Sequence, residues 1–493
     1  MTAPAATTYE VVIGIEVHAQ LLTKSKMFCS CAADYHDSPP NSHVCPVCLA
    51  MPGVLPMINQ QAVEYTIMTG LALNCTIPEQ AKFDRKNYHY PDLLKGYQIS
   101  QFDLPLCKEG WLDVDLDGET KRIGITRVHL EEDTARSSHR DEAGEEYSLL
   151  DMNRAGMPLM EIVSEPDVRS AEEARLYLTK LQQTLRYLGV SRANMDEGNM
   201  RCEPNVSLRP VGDPKLGAKV ELKNINSFRA VVNGIEYEIE RQNKLLDAGE
   251  QVFQETRGWR EAESRTVSQR GKEFADDYRY FPEPDLPSLA TSPAYVEELR
   301  SRLPELPDAK RTRLIEQYGL SPYEANLLAA TTTRADYFEQ AVAEAKGDDE
   351  RIRRRAGVIA NWMLGDFARL LNASSIDIGE ANVTAADLHA LVVLIEEGTI
   401  STTGAKTVFE EMFSTGKPPA EIVEEQGLTQ ISAADELTSV IEQVIAQNPK
   451  PVADVRGGKD GAIKFLVGQV MKETRGRAKP DLVQQLLRDQ LGR

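Results

Sequence analysis

Four cysteines stand in two short-spaced pairs, Cys29-x-Cys31 and Cys45-Pro46-Val47-Cys48, with thirteen residues between the pairs. Each pair delivers two thiolates from one turn, and four thiolates complete a tetrahedral Zn(II) shell. Such a closed shell is structural, because catalytic zinc keeps one position open for water. His36 and His43 fall in the intervening loop, so a mixed Cys/His site and an exposed loop of reduced thiols are the alternatives. Cys75, Cys107 and Cys202 have no near partner in sequence and read as packing residues.

A second set of residues suits phosphate chemistry. Glu16 and His18 are two apart in a segment where Tyr9, Val11, Ile13, Ile15 and Val17 alternate with the residues between them. That period of two is a strand, and it puts Glu16 and His18 on one face. A charged pair on a strand is commonly only a solvated edge. A further acidic run, Glu131-Glu132-Asp133, closes a hairpin that begins near Trp111. Carboxylates from two strand ends that converge supply the oxygen ligands Mg(II) prefers, a histidine being the less usual donor. Cations for phosphate oxygens stand in Asp84-Arg85-Lys86-Asn87-Tyr88, at Arg154, at Arg201 and in the run from Lys223 to Ser227. There is no G-x-x-x-x-G-K-[ST] loop, G-x-G-x-x-G fingerprint or G-x-S-x-G elbow, which removes P-loop, Rossmann and nucleophile-elbow designs.

The elements that must position these groups follow from periodicity. Leu112, Val114 and Leu116 lead into Asp117-Gly118, after which Ile123 and Ile125 resume the alternation of a hairpin. Ser170 with Glu173 forms a capping-box pattern ahead of the stripe Ala174, Tyr177, Leu178, Leu181, Leu185 and Leu188, and Gly189 closes that helix. Pro282, Pro284 and Pro287 mark a boundary, beyond which the periods are helical. Leu437, Val440, Ile441, Val444 and Ile445, then Ile463, Leu466, Val467, Val470 and Met471, predict helices of a small tail that starts near Gly416.

At 493 residues the chain exceeds one ordinary core, so several units are expected. Its 41% hydrophobic and 27% charged residues fit a globular protein and exclude a disordered or collagen-like one. Seven cysteines, an odd number, disfavour a secreted disulfide framework. No apolar run approaches the ~18 residues of a membrane span, and Met1 to Thr8 lacks signal-peptide character, so a cytoplasmic protein with no membrane contact is expected. The net charge of -20 repels nucleic acid at long range, so any RNA contact needs a local basic patch. Pro449 to Arg493 provides one, with ten Lys or Arg against five Asp or Glu. Lys459, Lys464, Lys472, Arg475, Arg477 and Lys479 lie around its second predicted helix.

These motifs resemble the B subunit of the tRNA-dependent amidotransferases. The resemblance rests on Gly14-Ile15-Glu16-Val17-His18, Phe83 to Tyr88, Tyr97 to Phe102, Pro158 to Asp167, Glu221 to Ser227 and Asp276 to Asp285, and reaches Phe465 to Gln469 in the tail. It departs from the common pattern at Gln269 and Gly271 and at Glu203-Pro204. The resemblance implies an α+β fold: a cradle of antiparallel sheet with helices over residues 1–295, a helical domain over 296–415, and a helical tRNA-binding tail over 416–493. It implies a ligase that uses ATP to phosphorylate the side-chain carboxylate of Glu-tRNA(Gln) or Asp-tRNA(Asn). Ammonia from an amidase partner, the A subunit, then displaces phosphate, and a small C subunit makes the assembly a heterotrimer.

Carried over by position, Glu16 and His18 match the family's first metal-binding strand, and Glu131 and Glu132 jointly match the acidic pair that completes the Mg(II) site and the channel exit, with Glu16, His18 and Glu131 the expected Mg(II) ligands. Lys86, Arg154 and Arg201 are the expected catalytic cations, and with Lys223 they are the expected ATP contacts. Zinc would be structural, since some members of the family lack the cysteines. The tail lysines and arginines named above match the tRNA-contacting region. The competing reading, from a different class, is a zinc-stapled tRNA-binding scaffold with no chemistry of its own. A scaffold has no use for the constellation of Glu16, His18 and Glu131.

Overall fold

A computed structural model of the chain describes residues 8–492 apart from 117, 143, 272–277, 431–433, 458, 460, 475 and 476. Asp117, Asp276, Asp277 and Arg475 therefore lie outside the described residues, as does the start of the chain through Thr7. Contacts divide the chain into two units, Met1–Leu306 and Pro307–Arg493.

The first unit opens with β1 (Tyr9–Gln20), α1 (Gln60–Ala72), β2 (Gln80–Ala81), β3 (Asp84–Asn87), β4 (Tyr97–Ser100), β5 (Cys107–Leu116) and β6 (Glu119–Glu132). It continues through β7 (Arg136–Glu142), β8 (Glu145–Asp151), β9 (Pro158–Ser164), α2 (Ala171–Tyr187), β10 (Met200–Pro210) and β11 (Val220–Lys223). It closes with α3 (Phe228–Asp247), β12 (Glu255–Arg260), β13 (Arg265–Gly271), β14 (Phe281–Pro282), β15 (Leu289–Ala290) and α4 (Pro293–Ser301). Eight strands form one sheet in the order β13-β12-β11-β10-β1-β9-β6-β5, while β14-β3-β4 form a smaller one.

The alternation of β1 explains its place inside the large sheet. Ile13, Ile15 and Val17 are fully buried on the face that packs against the helices, together with Ile67 of α1 and Leu178, Leu181 and Leu185 of α2. The other face carries Gly14, Glu16 and His18. Neighbours are antiparallel, as expected, except that β11 and β12 run parallel. A parallel neighbour requires a long crossover, and α3 supplies it between these two strands, with Val231 and Ile235 buried.

Local signals mostly act where they stand. The hairpin of β5 and β6 pairs Leu116 with Glu119 across a turn in which Gly118 has φ +86°, a conformation that glycine adopts freely. Ser170 caps α2, its Oγ accepting from the Glu173 N–H at 3.1 Å. The reciprocal half of the capping box is displaced by one residue, for the Glu173 carboxylate accepts from the Arg169 N–H at 2.6 Å.

The second unit is helical and holds two separate hydrophobic clusters. One runs from Leu314 to Val423 around Phe338, Phe367 and Phe409. The other joins helices Ala434–Gln447, Pro449–Arg456, Gly461–Glu473 and Pro480–Leu491 through Leu437, Ile441, Leu466, Val470 and Leu487. Both apolar periods read from the tail fall in these helices. Helix Pro419–Glu425 packs Ile422 and Val423 into the earlier cluster. Among the described residues no helix is long and apolar enough to cross a membrane.

The cysteine loop follows β1. Its four Sγ atoms lie within 4.8 Å of one another, and those of Cys45 and Cys48 are 3.8 Å apart. Sulfurs about 2.3 Å from a tetrahedral zinc are about 3.8 Å from each other, so the donor set fits that ion. The hydrogen bond between Cys29 and Cys48 holds Cys48 down at about 4 and, with burial, pushes Cys29 far up. His43 is engaged elsewhere, with Nε2 3.0 Å from Ser38 Oγ and Nδ1 3.3 Å from the Ala32 carbonyl. His36 stacks on Tyr35. The mixed site is thereby disfavoured.

The loop is latched to the end of the β7–β8 hairpin. Buried Lys26 donates to the carbonyls of His43 and Met152 at 2.8 and 3.2 Å, while Asn153 accepts from the His43 N–H and donates to the Pro39 carbonyl, each at 2.8 Å. Elemental analysis of protein prepared without chelator is expected to find about one zinc per chain. Cys45→Ser is expected to lose the ion and lower the unfolding midpoint. Metal-free protein from such a preparation would remove the site.

Candidate functional site

The polar face of the large sheet forms the floor of a cleft of ≈ 390 Å³. Strand register assembles it. Glu16 of β1 lies opposite Glu203 of β10, and His18 lies between Glu161 of β9 and Arg201 of β10. On the far side of β9, Glu161 faces His129 of β6, with Glu131 two residues further along the same face. Glu221 and Lys223 of β11 extend the row beyond β10. The smaller sheet closes the cleft with Lys86, Gln98 and, from the segment before β14, Tyr278 and Tyr280.

Two groups of ligand-type side chains result. His18, Glu131 and Glu161 bring one donor atom each within 4.8 Å of the others, and so do Glu16, Glu203 and Glu221. His18 Nε2 is 3.4 Å from Glu161 and 3.7 Å from Glu131, while His129 Nε2 is 3.4 Å from Glu161 and 3.8 Å from Glu131. Ser100 Oγ donates to Glu131 at 3.0 Å. Burial alone would lower His18, but Glu161 and Glu131 outweigh it and raise its pKa to about 9. Burial would raise the two carboxyls, and the imidazoles hold both below the usual range. Lys86 is treated likewise: desolvation opposes its charge, and Glu131 with Glu161 holds the ammonium protonated well above the ordinary lysine value. Its Nζ sits 5.0 Å from the centre of the Tyr278 ring.

The residues expected from sequence divide three ways. Glu16, His18, Lys86, Glu131, Arg201 and Lys223 all line the cleft. Glu16 stands with the second acidic group, its Oε1 accepting from Asn205 Nδ2 at 3.0 Å, whereas His18 and Glu131 stand with the first. Glu132 points to the other face of β6, where it pairs with Lys95 and accepts from the Ile99 N–H at 3.1 Å, beside Cys29 and Cys48. Arg154 lies behind the cleft, donating to the carbonyls of Thr134 and Ala135 at 2.9 and 2.7 Å, with Asp133 at 3.7 Å. Arg201 donates to Asp133 at 3.0 Å, and Lys223 is 2.9 Å from Glu203.

Glu161, His129, Glu203 and Glu221 were not singled out from sequence. A signal existed for two of them. Glu161 is the one ionisable residue in the strand Pro158–Ser164, and His129 shares the face of Glu131 by period two. Glu203 and Glu221 depend on pairing between distant strands, which one sequence does not specify.

In the second unit Lys459, Lys464, Lys472 and Lys479 are exposed, Lys459 pairing with Asp454 at 2.9 Å. Arg477 is partly buried and donates to the Gly427 carbonyl at 3.2 Å.

Comparison with known proteins bears on both units. Residues 11–297 match a family described as the GatB/GatE catalytic domain, and residues 336–491 match one described as the GatB domain. The chain is 55% identical over 490 residues to the B subunit of the aspartyl/glutamyl-tRNA(Asn/Gln) amidotransferase of Dehalococcoides mccartyi, covering 98% of this chain and 99% of that one. The protein of the same name from Carboxydothermus hydrogenoformans is 53% identical over 486 residues, and that from a Roseiflexus species 52% over 495, each covering 98% of this chain and 99% of its own. With a cleft built from the strands that the first of these families spans, and near-complete coverage of each relative, the chain belongs to the GatB/GatE family of amidotransferase B subunits.

Proposed function

We propose that the chain is the B subunit of a carbon–nitrogen ligase that converts Glu-tRNA(Gln), Asp-tRNA(Asn) or both to the amides. The side-chain carboxylate attacks the γ-phosphorus of ATP and ADP departs. Ammonia then attacks the acyl phosphate carbon, phosphate leaves, and the nitrogen sheds a proton, giving amide, ADP and phosphate. The relatives' name and the cleft's composition support this reading. The observation that carries it is the pair of ligand-type groups, His18/Glu131/Glu161 and Glu16/Glu203/Glu221, on one sheet face beside Lys86, Arg201, Lys219 and Lys223.

Phosphoryl transfer calls for positioning and charge neutralisation more than covalent chemistry. Bound Mg(II) would neutralise phosphate charge, with Glu16, His18, Glu131 and Glu161 as the donors this chain offers. Lys86, held charged by its carboxylate neighbours, orients an anionic substrate over them. Arg201 and Lys223 are kept in place by Asp133 and Glu203 until a phosphate competes for them. Arg154 acts from behind, fixing the backbone that carries Asp133. Glu132, on the opposite face, is proposed at the channel exit rather than among the metal ligands.

Ammonia would come from the amidase partner, the A subunit, and the small C subunit would make up a cytoplasmic heterotrimer. The three-part division at residues 295 and 415 is retained in this proposal, with the core from Leu437 to Leu491 belonging to the tRNA-binding tail. A pure scaffold accounts less well for a face of buried carboxylates that costs folding energy to assemble.

Two measurements test these assignments. Glu16→Gln and Glu131→Gln remove negative ligands at nearly constant volume, and each is expected to lower kcat/KM for amidation by roughly 30- to 1,000-fold while tRNA still binds. Near-normal turnover in both variants at saturating ATP and magnesium would leave the scaffold reading in possession. Deleting residues 417–493 is expected to weaken tRNA binding and flatten its salt dependence while the partner chains still assemble. Unchanged affinity across a salt series would refute the role of the tail.

A further inference from the structure

The carboxylates of the two ligand-type groups are held by two kinds of partner. Cations are one kind: His18 stands 3.7 Å from Glu131 Oε1, and Lys223 stands 4.0 Å from Glu221 Oε1. A divalent ion in either group repels these charges, so a cationic partner gives way as the ion binds. Neutral donors are the other kind. Ser100 Oγ donates to Glu131 Oε2 at 3.0 Å, and Thr256 Oγ1 donates to Glu221 Oε2 at 2.8 Å. In each case the hydroxyl bonds to Oε2 while His18 or Lys223 approaches Oε1.

The two hydroxyls arrive by different routes. Ser100 ends β4 and reaches Glu131 of β6 from the smaller sheet. Thr256 belongs to β12, where the parallel pairing that α3 makes possible sets it directly opposite Glu221. Beside it the ladder of β12 and β13 shifts register between Thr256 and Arg257, an irregularity of the kind that re-aims a side chain. Burial obliges a hydroxyl to find an acceptor, and a backbone carbonyl is the common choice. Buried Thr66, Thr184 and Thr474 make that choice, each donating to the carbonyl four residues earlier in its helix. Ser100 and Thr256 instead take one carboxylate from each ligand-type group. They are 1% and 2% exposed and neither lines the cleft, so each reaches a substrate only through its carboxylate.

We propose that Ser100 and Thr256 are positioning residues for the reaction, one behind each ligand-type group, and that each fixes Oε2 so that Oε1 is presented already aimed at a divalent ion. This rests on the proposal that the cleft holds Mg(II) for phosphoryl transfer. Donor atoms within 4.8 Å of one another, most of them carboxylate oxygens, suit that ion. An uncharged hydroxyl persists where a cation is repelled, and hydrogen bonds of this kind orient ligating carboxylates.

The test measures Mn(II), a paramagnetic substitute for Mg(II), bound to the full chain in complex with its partner chains, together with the Mg(II) dependence of amidation. Ser100→Ala and Thr256→Val each delete a hydroxyl with little change in volume. Each is expected to weaken Mn(II) binding roughly 10- to 100-fold and to raise the magnesium needed for half-maximal amidation by a similar factor, with kcat at saturating magnesium within about three-fold. Thr256→Ser returns the donor and is expected to bind Mn(II) within about three-fold of the unaltered chain. Thr126→Val removes an exposed hydroxyl bond to Glu165 and is expected to change Mn(II) affinity by less than about two-fold. Unchanged Mn(II) affinity in Ser100→Ala or in Thr256→Val would overturn that residue's role, and so would a loss in Thr256→Ser equal to that in Thr256→Val. Either result leaves the proposed reaction standing. Failure of the unaltered complex to bind Mn(II) would overturn the metal reading and the positioning roles together.

Discussion

Mutual repulsion among carboxylates on a single sheet face is the constraint around which the first unit is organised. Glu16, Glu131, Asp133, Glu161, Glu203 and Glu221 all border one cleft. In a medium less polar than water such a set is strongly unfavourable unless cations are interleaved. The sheet interleaves them by register: His18 between Glu161 and Glu131, His129 beside the same two, Lys223 against Glu203, Arg201 against Asp133. Lys86 reaches the floor from the smaller sheet. The central position of β1 is what makes this possible, because only an interior strand has partners on both edges to contribute alternate charges.

How much of this could be read in advance depended on whether a signal was local. The alternation from Tyr9 to His18 is carried by consecutive residues, so both the strand and the shared face of Glu16 and His18 were legible. So were the hairpin around Gly118, the helix stripe from Ala174 to Leu188, and the tail helices. The cysteine spacing named all four members of the sulfur cluster. What escaped were relations between strands far apart in sequence. Glu16 looks like a companion of His18 and Glu131, yet its nearest acidic neighbours come from β10 and β11, some two hundred residues on. Glu131 and Glu132 look equivalent in a run of three acids, but period two sends them to opposite faces. The parallel pairing of β11 with β12 was likewise invisible, because it is imposed by a helix lying between them.

The second unit answers a different physical problem. Its two apolar clusters are built from helices whose stripes are local in sequence, and its charge is distributed unevenly. A +5 segment within a chain of -20 concentrates attraction for a polyanion in one place. The acidic remainder discourages binding elsewhere, so that the long-range field itself favours one mode of approach.

The solitary β7–β8 hairpin has a consequence for how this fold tolerates change in length. Among the described residues it pairs with no other strand, and most of its residues face solvent. Two residues inserted near its tip would lengthen an arm without disturbing any neighbour's register. One residue inserted into β1 would turn every side chain beyond it over, sending Glu16 and His18 into the apolar core. At its base the arm loses this freedom, because Asn41 and Asn153 tie Asp151 and Met152 to the cysteine loop. Natural length variation should therefore gather between Arg140 and Tyr147 and be absent from Tyr9 to Gln20, a pattern that an alignment of relatives can check.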